Sequence, residues 1–401
     1  MKILHITPAY EPAWHSGGVV RSASQLCRGL ARLGHDVTVY TTTIGQDRRL
    51  MVPPDKPVDL GKVMVFYFKT NFNTGFAFSQ TLYKACHQEL QEFDIVHLAS
   101  FWCFPGIPAG FEARKHRVPY VISTHGTLVP YSMAQKPFKK WLYFKIIEEE
   151  NLRKASAIHY TAYLEREQMA YLDFDRPSFV IPNGLDYGEF ERLPEKESAR
   201  KELGIPKDTR VILYLGRLHA RKGLDLLLRA FASFKNDYAP TLLILAGPDE
   251  GQLHRLQNLA AALDLQPRVW FPGFITPEKR NVFLRAADVM ALIAHPGENF
   301  GYAAVEAMFA GIPVLVSNHV GISREVVADG AGVAVPLTID AVANAIIDIF
   351  SNPERLAAKG RAAAASARRR YEIDIVARQM AMAYEDILTG RRSPGLSWSD
   401  E

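Results

Sequence analysis

The apolar positions of this chain recur in short runs that alternate with longer segments of helical periodicity. The runs of the first half are continuous and rich in β-branched and aromatic residues, which is typical of parallel strands covered on both faces. Helical patterns such as residues 19–33 and 82–92 lie between them. These runs are residues 3–7, 37–42, 63–68, 95–99, 120–124 and 158–161.

A second series of the same kind begins near residue 210. Helical patterns again separate the runs, including residues 224–234 and 253–263. Two consecutive βα series predict an α/β chain of two Rossmann-like, doubly wound domains that face each other across a cleft. The runs of this half are residues 211–215, 242–246, 269–272, 289–293, 313–317 and 332–335.

The junction between the two series is marked by a Pro-Asn-Gly turn at residues 182–184 and by the polar segment 189–198. A length of 401 residues is too great for one ordinary core and suits two domains. We therefore expect an N-terminal domain over residues 1–185, a C-terminal domain over 186–370, a last helix over 371–388 and a tail over 389–401.

Composition narrows the class of protein without naming a ligand. Hydrophobic residues make up 48% and charged residues 22%, a globular balance that excludes a disordered or fibrous chain. The net charge of +4 suits diphosphates or an anionic membrane surface and requires neither. Dispersed basic residues and the absence of a recognised module argue against nucleic-acid binding.

Cysteine usage and the N-terminus indicate a location. The three cysteines, Cys27, Cys86 and Cys103, are scattered and form no CxxC pair, which argues against a disulfide framework or a zinc site and suits a reducing compartment. A strand pattern follows Met1 directly, without a signal peptide, and no apolar run is long enough to span a bilayer. We expect a cytoplasmic protein.

The first candidate for ligand binding is the glycine pair that opens the first helical pattern. Gly17 and Gly18 would allow close backbone approach, and the amides of a helix N-terminus favour an anion such as phosphate. The spacing is not GxGxxG, so the dinucleotide fingerprint is absent. A flexible loop at a helix start is the alternative interpretation.

The second candidate is the basic turn at residues 216–223, which directly follows a predicted strand. Ligands of open α/β sheets lie at the carboxyl ends of strands. Arg217 could contact two phosphate oxygens at once, and Lys222 adds a compact charge. These cations would neutralise a departing nucleoside diphosphate without a metal. A solvated basic turn is the alternative.

The third candidate holds two glutamates eight positions apart. Glu298 follows a predicted strand, and Glu306 lies in a helix expected from about Phe300 to residue 310. Their backbones would lie about 12 Å apart, roughly the length from a hexose ring to a ribose. We predict that Glu298 accepts from sugar hydroxyls, Glu306 from the ribose diol, and that Asn299, Phe300 and Gly301 complete the donor site. Taken singly, Glu298 could be an ordinary surface carboxylate, and Glu306 could be an ordinary charge in the N-terminal half of a helix.

These motifs resemble the E-x7-E signature and accompanying loops of the family 4 (group 1) retaining glycosyltransferases of GT-B fold. Their order along this chain is the order in that family, and the resemblance extends to about residue 388. It implies retention at the anomeric carbon, no divalent metal or other cofactor, and a donor bound mainly by the C-terminal domain. It also implies that the last helix crosses back onto the N-terminal domain.

A histidine at a strand end completes the predicted catalytic set. His125 follows the strand pattern at residues 120–124, where it would face the cleft. In the family that this chain resembles, a histidine at this place contacts the transferred sugar. A histidine bonded to backbone is the alternative. The catalytic prediction therefore comprises His125, Arg217, Lys222 and Glu298.

The chain also contains a DxD pair, Asp173 and Asp175. In a different glycosyltransferase fold such a pair binds a divalent metal. Here it precedes Arg176-Pro177 and lies far in sequence from the donor motifs. We interpret it as a turn and predict no metal site.

The acceptor side is indicated only by aromatic and basic residues. Trp14, His15, Trp102 and Tyr131, together with Phe101, are expected to contact the acceptor, although they could equally be core. From Lys136 to Lys145, basic and aromatic residues interleave, so this segment could contact an anionic face of the plasma membrane from the cytoplasm. It could also be a helix whose aromatic residues are buried.

Together these residues predict a transferase that moves a sugar from a UDP- or GDP-linked donor to a glycan or lipid-linked acceptor, in polysaccharide or glycolipid synthesis. A sugar-nucleotide epimerase and a non-catalytic sugar-nucleotide binding protein stay open as alternatives. A nicotinamide-dependent dehydrogenase also suits doubly wound domains, but the missing fingerprint argues against it. The base, sugar and acceptor are left open.

Overall fold

The computed structural model describes residues 1–14, 17–45, 52–72, 74–233 and 240–391. The chain divides into two compact units. The first comprises Met1–Leu185 together with the chain from Glu372 onward, and the second comprises Asp186–Tyr371. The predicted tail lies outside the described residues beyond residue 391.

The first unit contains one eight-stranded sheet. Its strands are β1 (Lys2–Ile6), β2 (Asp36–Thr42), β3 (Pro57–Asp59), β4 (Val63–Phe68), β5 (Ile95–Leu98), β6 (Tyr120–Ser123), β7 (Ala157–Tyr160) and β8 (Ser178–Val180). Their order is β3-β4-β2-β1-β5-β6-β7-β8. All neighbours are parallel except β3, which pairs antiparallel with β4 at the edge. The sequence patterns predicted six of these strands to within about one residue, but not the three-residue strands β3 and β8.

Helices cover both faces of this sheet. They are α1 (Gly18–Arg32), α2 (Gln80–Glu89), α3 (Gly106–His116), α4 (Pro130–Met133), α5 (Pro137–Tyr143), α6 (Glu149–Lys154) and α7 (Tyr163–Met169). The Ser79 hydroxyl caps α2 by accepting from the Leu82 N–H. A π-helical turn, Phe144–Glu148, joins α5 to α6. Separate clusters of buried apolar side chains pack on the two faces.

The second unit contains a six-stranded, wholly parallel sheet. Its strands are β9 (Arg210–Leu215), β10 (Thr241–Ala246), β11 (Val269–Gly273), β12 (Val289–Leu292), β13 (Val314–Ser317) and β14 (Gly332–Val335). Their order, β11-β10-β9-β12-β13-β14, is the doubly wound Rossmann order. Strand order reverses between β9 and β12, where such sheets bind ligands. The prediction of two Rossmann-like α/β domains is confirmed.

In the described part of the second unit, eight α-helices follow or precede these strands. They are α8 (Lys196–Glu202), α9 (Leu224–Ser233), α10 (Leu253–Ala262), α11 (Pro277–Ala286), α12 (Tyr302–Phe309), α13 (Ser323–Ala328), α14 (Ile339–Ser351) and α15 (Pro353–Arg370). Helix α14 begins where the Thr338 hydroxyl accepts from the Ala341 N–H. Pro353 at the first turn of α15 and Asn352 as its cap separate it from α14.

The last helix, α16 (Ile373–Thr389), belongs to the first unit. It packs so closely on α1 that a Cβ on Gly29 would lie 2.8 Å from the Cβ of Ala377. The Arg32 guanidinium contacts the Asp374 carboxylate at 2.7 Å. Tyr384 is fully buried in the same core as β1 and β2. The first unit is therefore completed by residues from both ends of the chain.

Candidate active site

The loop after β9 places Arg217 and Lys222 at the point where strand order reverses. Arg217 is tied to its own strand, because the Tyr214 phenol donates to the Arg217 carbonyl at 2.8 Å. Its guanidinium Nη1 lies 2.6 Å from Glu250 Oε1, and the two side chains are 48% and 33% exposed. Glu250 follows β10, so the guanidinium is held by a neighbouring loop.

Lys222 ends a 3-10 turn, Ala220–Lys222, and approaches the loop after β12. The turn closes at Gly223 (φ +62°), where a Cβ would come within 1.9 Å of the Ile293 carbonyl oxygen. Only glycine permits this approach. Lys222 Nζ lies 2.5 Å from Glu298 Oε2, with side chains 16% and 20% exposed. The structure thus brings together the two motifs that the sequence analysis placed directly after two different strands.

The segment between Glu298 and the following helix differs from the sequence prediction. Helix α12 begins at Tyr302, after Gly301 at φ +99°, rather than near Phe300. Half of the spacing between the two glutamates is therefore not helical, and a helical rise does not set their separation. The Phe300 side chain is buried against Tyr302 and Tyr371, with ring centroids 5.1 and 5.7 Å apart. Its side chain is part of the core, so only its backbone could contact a donor.

Glu306 is buried on α12 and is paired with a residue that the sequence analysis missed. Arg280, on α11, places Nη1 at 3.0 Å from Glu306 Oε1 and Nη2 at 3.0 Å from Glu189 Oε2. Nothing local in the sequence links these positions, which lie 26 and 91 residues from Arg280. Arg280 therefore fixes the orientation of the carboxylate predicted to bind ribose.

Two neutral side chains show how close these charges lie to one another. Burial raises the pKa of Tyr214 well above its ordinary value, and the nearby Glu298 and Glu250 carboxylates raise it further while Arg217 opposes them. Burial lowers the pKa of His219, with contributions from Arg217 and Lys222 among the surrounding charges. Both groups are neutral near pH 7, within one cluster of ion pairs.

In the first unit, His125 lines a cavity of about 180 Å³ at the carboxyl ends of β1, β5 and β6. Its backbone is left-handed, with φ +46°, and Gly126 follows at φ +70°. Burial lowers the pKa of His125 to about 4, so the imidazole is neutral at physiological pH. Phe101 also lines this cavity. A neutral imidazole there can donate or accept one hydrogen bond.

The loop that carries His125 is held by Glu165, a buried residue of α7 that the sequence analysis did not identify. Glu165 Oε1 accepts from the Thr124 hydroxyl at 2.6 Å and from the Gly126 N–H at 2.5 Å. Its Oε2 accepts from the N–H and the hydroxyl of Thr161 at 2.8 and 3.0 Å. Four donors on one carboxylate fix the left-handed turn at His125.

Beneath this loop, buried polar groups form a hydrogen-bonded chain across the sheet. His159 Nε2 donates to the Ile181 carbonyl at 2.7 Å, so its neutral Nδ1 accepts from the Ser123 hydroxyl at 2.5 Å. Ser123 in turn accepts from His97 Nε2, and His97 Nδ1 accepts from the Tyr384 hydroxyl, both at 2.5 Å. Helix α16 is thereby joined to the strands below His125.

The buried histidines of this hydrogen-bonded network, together with the neighbouring His5, predict that acid lowers the stability of the first unit. Burial lowers the pKa of His5 to about 3 and that of His159 to about 4, and lowers the pKa of His97 well below its ordinary value. Below pH 6.5 these three histidines take up protons in the unfolded chain, whereas in the folded chain they stay neutral. Stability contributed above pH 6.5 is therefore lost as pH falls toward 4, by about 1.4 kcal/mol per pH unit for each histidine.

Thermal unfolding followed by circular dichroism between pH 7.5 and 4.5 tests this expectation. A His5→Phe variant should show a shallower fall, since His5 Nε2 is buried and has no partner within the described residues. A melting temperature that stays level over this range in the wild-type protein would contradict the assignment of neutral buried histidines.

The remaining predicted residues are placed as follows. Gly17 precedes α1 at φ +95°, and Gly18 is the first residue of α1. Trp14 is half-exposed, Tyr131 is half-buried in α4, and His15 lies outside the described residues. The DxD segment is a loop that begins at Asp173, φ +42°.

Trp102 lies in a left-handed loop conformation, φ +60°, beside the predicted membrane segment. Its backbone N–H donates to the buried Glu148 carboxylate at 3.1 Å, and its ring lies 5.3 Å from Lys140 Nζ and 5.7 Å from the Tyr143 ring. Burial raises the pKa of Glu148 to about 7. The inner face of α5 is thus packed on the Trp102 loop.

Two properties of the described residues complete the description. No group of three or more histidine, cysteine, aspartate or glutamate side chains among them is placed to share a metal ion. In the same part of the chain, no helix combines the length and the apolar character that crossing a bilayer requires. Cys27, Cys86 and Cys103 are buried free thiols.

Comparison with known proteins gives consistent matches to both units. The family model described as glycosyl transferases group 1 matches residues 195–366, and that described as glycosyltransferase family 4 matches residues 16–189. A D-inositol 3-phosphate glycosyltransferase of Kineococcus radiotolerans is 27% identical over 82% of this chain and 79% of its own. A phosphatidyl-myo-inositol mannosyltransferase of Mycolicibacterium smegmatis is 28% identical over 92% of this chain and 90% of its own.

Solved structures show the same fold at low sequence identity. The Anabaena protein HepE, solved in complex with UDP and glucose, superimposes with a TM-score of 0.75 at 21% identity and covers 96% of this chain and 99% of its own. A sucrose-phosphate synthase of Thermosynechococcus elongatus gives a TM-score of 0.73 at 22% identity, over 97% and 99% of the two chains.

Proposed function

We propose that this chain, which belongs to the glycosyltransferases of group 1 and family 4, moves a sugar from a UDP- or GDP-linked donor to an acceptor with retention of configuration. One observation carries the proposal. Arg217 and Lys222 follow β9, Glu298 follows β12, and the 2.5 Å pair between Lys222 and Glu298 joins them where strand order reverses. Cations and a carboxylate at this point suit a diphosphate attached to a hydroxyl-rich sugar.

In the proposed mechanism the donor diphosphate lies against Arg217 and Lys222. Negative charge accumulates on this leaving group as its bond to the anomeric carbon lengthens. Fixed cations stabilise that charge more strongly in the transition state than in the ground state. They supply the positive charge that a divalent ion would otherwise supply, so we propose that the transfer needs no metal.

The proposed stereochemistry follows from the leaving group. The acceptor hydroxyl attacks from the face that the diphosphate leaves, its proton passes to a diphosphate oxygen, and configuration is retained. Glu298 and His125 are proposed to hold the sugar hydroxyls, each through hydrogen bonds. Glu306, oriented by Arg280, is proposed to accept from the ribose diol.

The names of similar proteins bear on the substrates. HepE was solved with UDP and glucose, which supports a UDP-linked donor, and the similar mannosyltransferase is named for a phosphatidyl-myo-inositol. We therefore propose a glycan or lipid-linked acceptor, placed near the His125 cavity and the Trp102 loop, and a role in polysaccharide or glycolipid synthesis at the cytoplasmic side of a membrane.

A donor screen tests this function. In buffer containing EDTA, one UDP- or GDP-linked sugar should raise thermal stability, by about 2.7 kcal/mol at a hundredfold excess over Kd. With that donor and a matching acceptor, proton NMR of the first product formed should show the anomeric configuration of the donor. Stabilisation that appears only with added Mg²⁺ or Mn²⁺ would refute metal independence, and an inverted product would refute retention.

We also propose that the outer face of α5 and the π-helical turn contacts an anionic membrane. Phe138 and Ile146 are 77% and 66% exposed, Trp141 and Leu142 are exposed beside them, and Lys139 is exposed on the same helix. Such a face suits a bilayer interface. Lys140 and Lys145 are already engaged, with the Ser132 carbonyl at 2.6 Å and with Glu149 at 2.8 Å.

Flotation with vesicles containing anionic lipid tests this contact. Phe138→Ser combined with Lys139→Glu should lower the bound fraction severalfold, because about 1 kcal/mol is lost per basic residue in addition to the buried apolar area. Phe274→Ser, at an exposed phenylalanine of the second unit, is the matched control. Equal binding by the double variant and the wild-type protein would refute a membrane role for this face.

A further inference from the structure

The loop after β10 holds a carboxylate against the guanidinium that the proposed function assigns to the donor diphosphate. Glu250 Oε1 lies 2.6 Å from Arg217 Nη1. Backbone hydrogen bonds join the two loops, since the Leu218 N–H donates to the Pro248 carbonyl at 2.8 Å and the Glu250 N–H donates to the Leu218 carbonyl at 3.1 Å. Glu250 is thereby held beside Arg217.

A carboxylate and a phosphate compete for the same donors of an arginine side chain. Both accept charge-assisted hydrogen bonds from the planar guanidinium. The Arg217 and Glu250 side chains are 48% and 33% exposed, so exchange of one anion for another takes place at low cost in desolvation. A diphosphate brings a second charged group, which one carboxylate cannot match.

From this geometry we propose that Glu250 is an internal competitor of the donor: the nucleoside diphosphate binds by displacing Glu250 from Arg217, and Glu250 recovers Arg217 when the nucleotide product leaves. The inference rests on the proposed donor site. It gives Glu250, which the sequence analysis did not name, the role of weakening nucleotide binding and speeding product release.

The neighbouring pair, Lys222 with Glu298, makes the role of Glu250 specific. Glu298 is proposed to remain in the site as an acceptor for sugar hydroxyls after Lys222 turns to the phosphates. Glu250 has no such proposed contact with the sugar, and it interacts electrostatically with Tyr214 and His219 beside both pairs. Removing its charge therefore changes the competition for Arg217 and leaves the sugar contacts in place.

The test is a thermodynamic cycle on nucleotide binding in EDTA. UDP and GDP are titrated into the wild-type chain and into Glu250→Gln, which keeps the shape and removes the charge. The Kd of the preferred nucleotide should fall about threefold in Glu250→Gln, the size expected for loss of an exposed ion pair. Inhibition of turnover by the same nucleotide should strengthen by the same factor.

Two further variants separate competition from other causes. In an Arg217→Ala background, Glu250→Gln should change the Kd by less than twofold, because the contested cation is gone. Glu197→Gln removes an exposed, ion-paired carboxylate of the same unit and is the control for net charge. The competitor role would be overturned if Glu250→Gln also raised nucleotide affinity in the Arg217→Ala background, or if Glu197→Gln raised it by the same factor.

The outcomes also distinguish this inference from the function on which it rests. If the wild-type chain binds a nucleotide and Glu250→Gln binds it with equal or lower affinity, the competitor role is refuted and the donor site is not. If neither UDP nor GDP binds the wild-type chain, the donor site itself fails, and the competitor role fails with it.

Discussion

Replacing Lys222 with alanine is expected to lower kcat by about 100- to 1000-fold, the usual cost of removing one preorganised group that stabilises a developing negative charge. The Lys222 side chain is only 16% exposed, and its ammonium group is paired with Glu298 at 2.5 Å. Its loss removes the charge opposite the leaving diphosphate and leaves Glu298 without its cation. Steady-state kinetics with the donor identified by the thermal screen measures the effect.

Variants at more exposed basic residues of the same unit are the controls for Lys222→Ala. Lys207→Ala, at an exposed lysine paired with Glu197 in the same unit, should keep kcat within twofold of the wild-type value. Arg217→Ala should lower kcat less than Lys222→Ala does, because the more exposed guanidinium acts through a higher local dielectric. A Lys222→Ala enzyme that retains more than a tenth of wild-type kcat would exclude Lys222 from leaving-group stabilisation.

The second large effect is expected at Glu165. Glu165→Ala leaves the Thr124 hydroxyl, the Gly126 N–H and both Thr161 donors without their acceptor. Since a buried unsatisfied donor costs about 1–3 kcal/mol, the free energy of unfolding of the first unit should fall by at least about 3 kcal/mol. Urea denaturation followed by near-ultraviolet circular dichroism measures this loss.

The same variant should also change activity in a way that simple destabilisation would not. With the His125 loop released, kcat should fall at temperatures where the chain remains folded. The Kd of the free nucleotide should stay near the wild-type value, because the proposed contacts with the diphosphate and the ribose all lie in the second unit. Glu167→Ala, at an exposed carboxylate of the same helix, is the matched control. Glu165→Ala with wild-type kcat would show that this carboxylate does not position His125.

The sequence predicted most of the fold because parallel strands covered on both faces leave a strong local signal. The continuous apolar runs gave twelve strands and the two doubly wound units, whose strand orders the structure shows. The strands β3 and β8 were missed, since three residues are too few for a recognisable period. The start of α12 was placed too early because Gly301, at φ +99°, delays it to Tyr302.

Some residues of the candidate site can be recognised from the neighbouring sequence, and others only from contacts between distant elements. Arg217, Lys222 and Glu298 could be named because each follows a strand pattern directly. Glu165 and Arg280 could not, because their partners lie in other elements. Phe300 was assigned to the donor site, but the packing of Tyr302 and Tyr371 places its side chain in the core.

The buried histidines illustrate a further limit of sequence reasoning. His97 and His159 each lie within an apolar strand pattern and carry no local sign of function. Only the pairing of β5, β6 and β7, with Tyr384 from the far end of the chain, shows that they form one hydrogen-bonded chain. Such networks depend on tertiary register and become visible only in the folded structure.

Isothermal titration with UDP and GDP in EDTA asks directly whether side-chain cations, rather than a bound metal ion, hold the nucleotide phosphates. We predict that one of the two nucleotides binds the wild-type chain, and that Arg217→Ala combined with Lys222→Ala weakens binding at least 100-fold, as expected for two charge-assisted contacts. Binding that requires added divalent ions, or a double variant that binds as tightly as the wild type, would contradict the account.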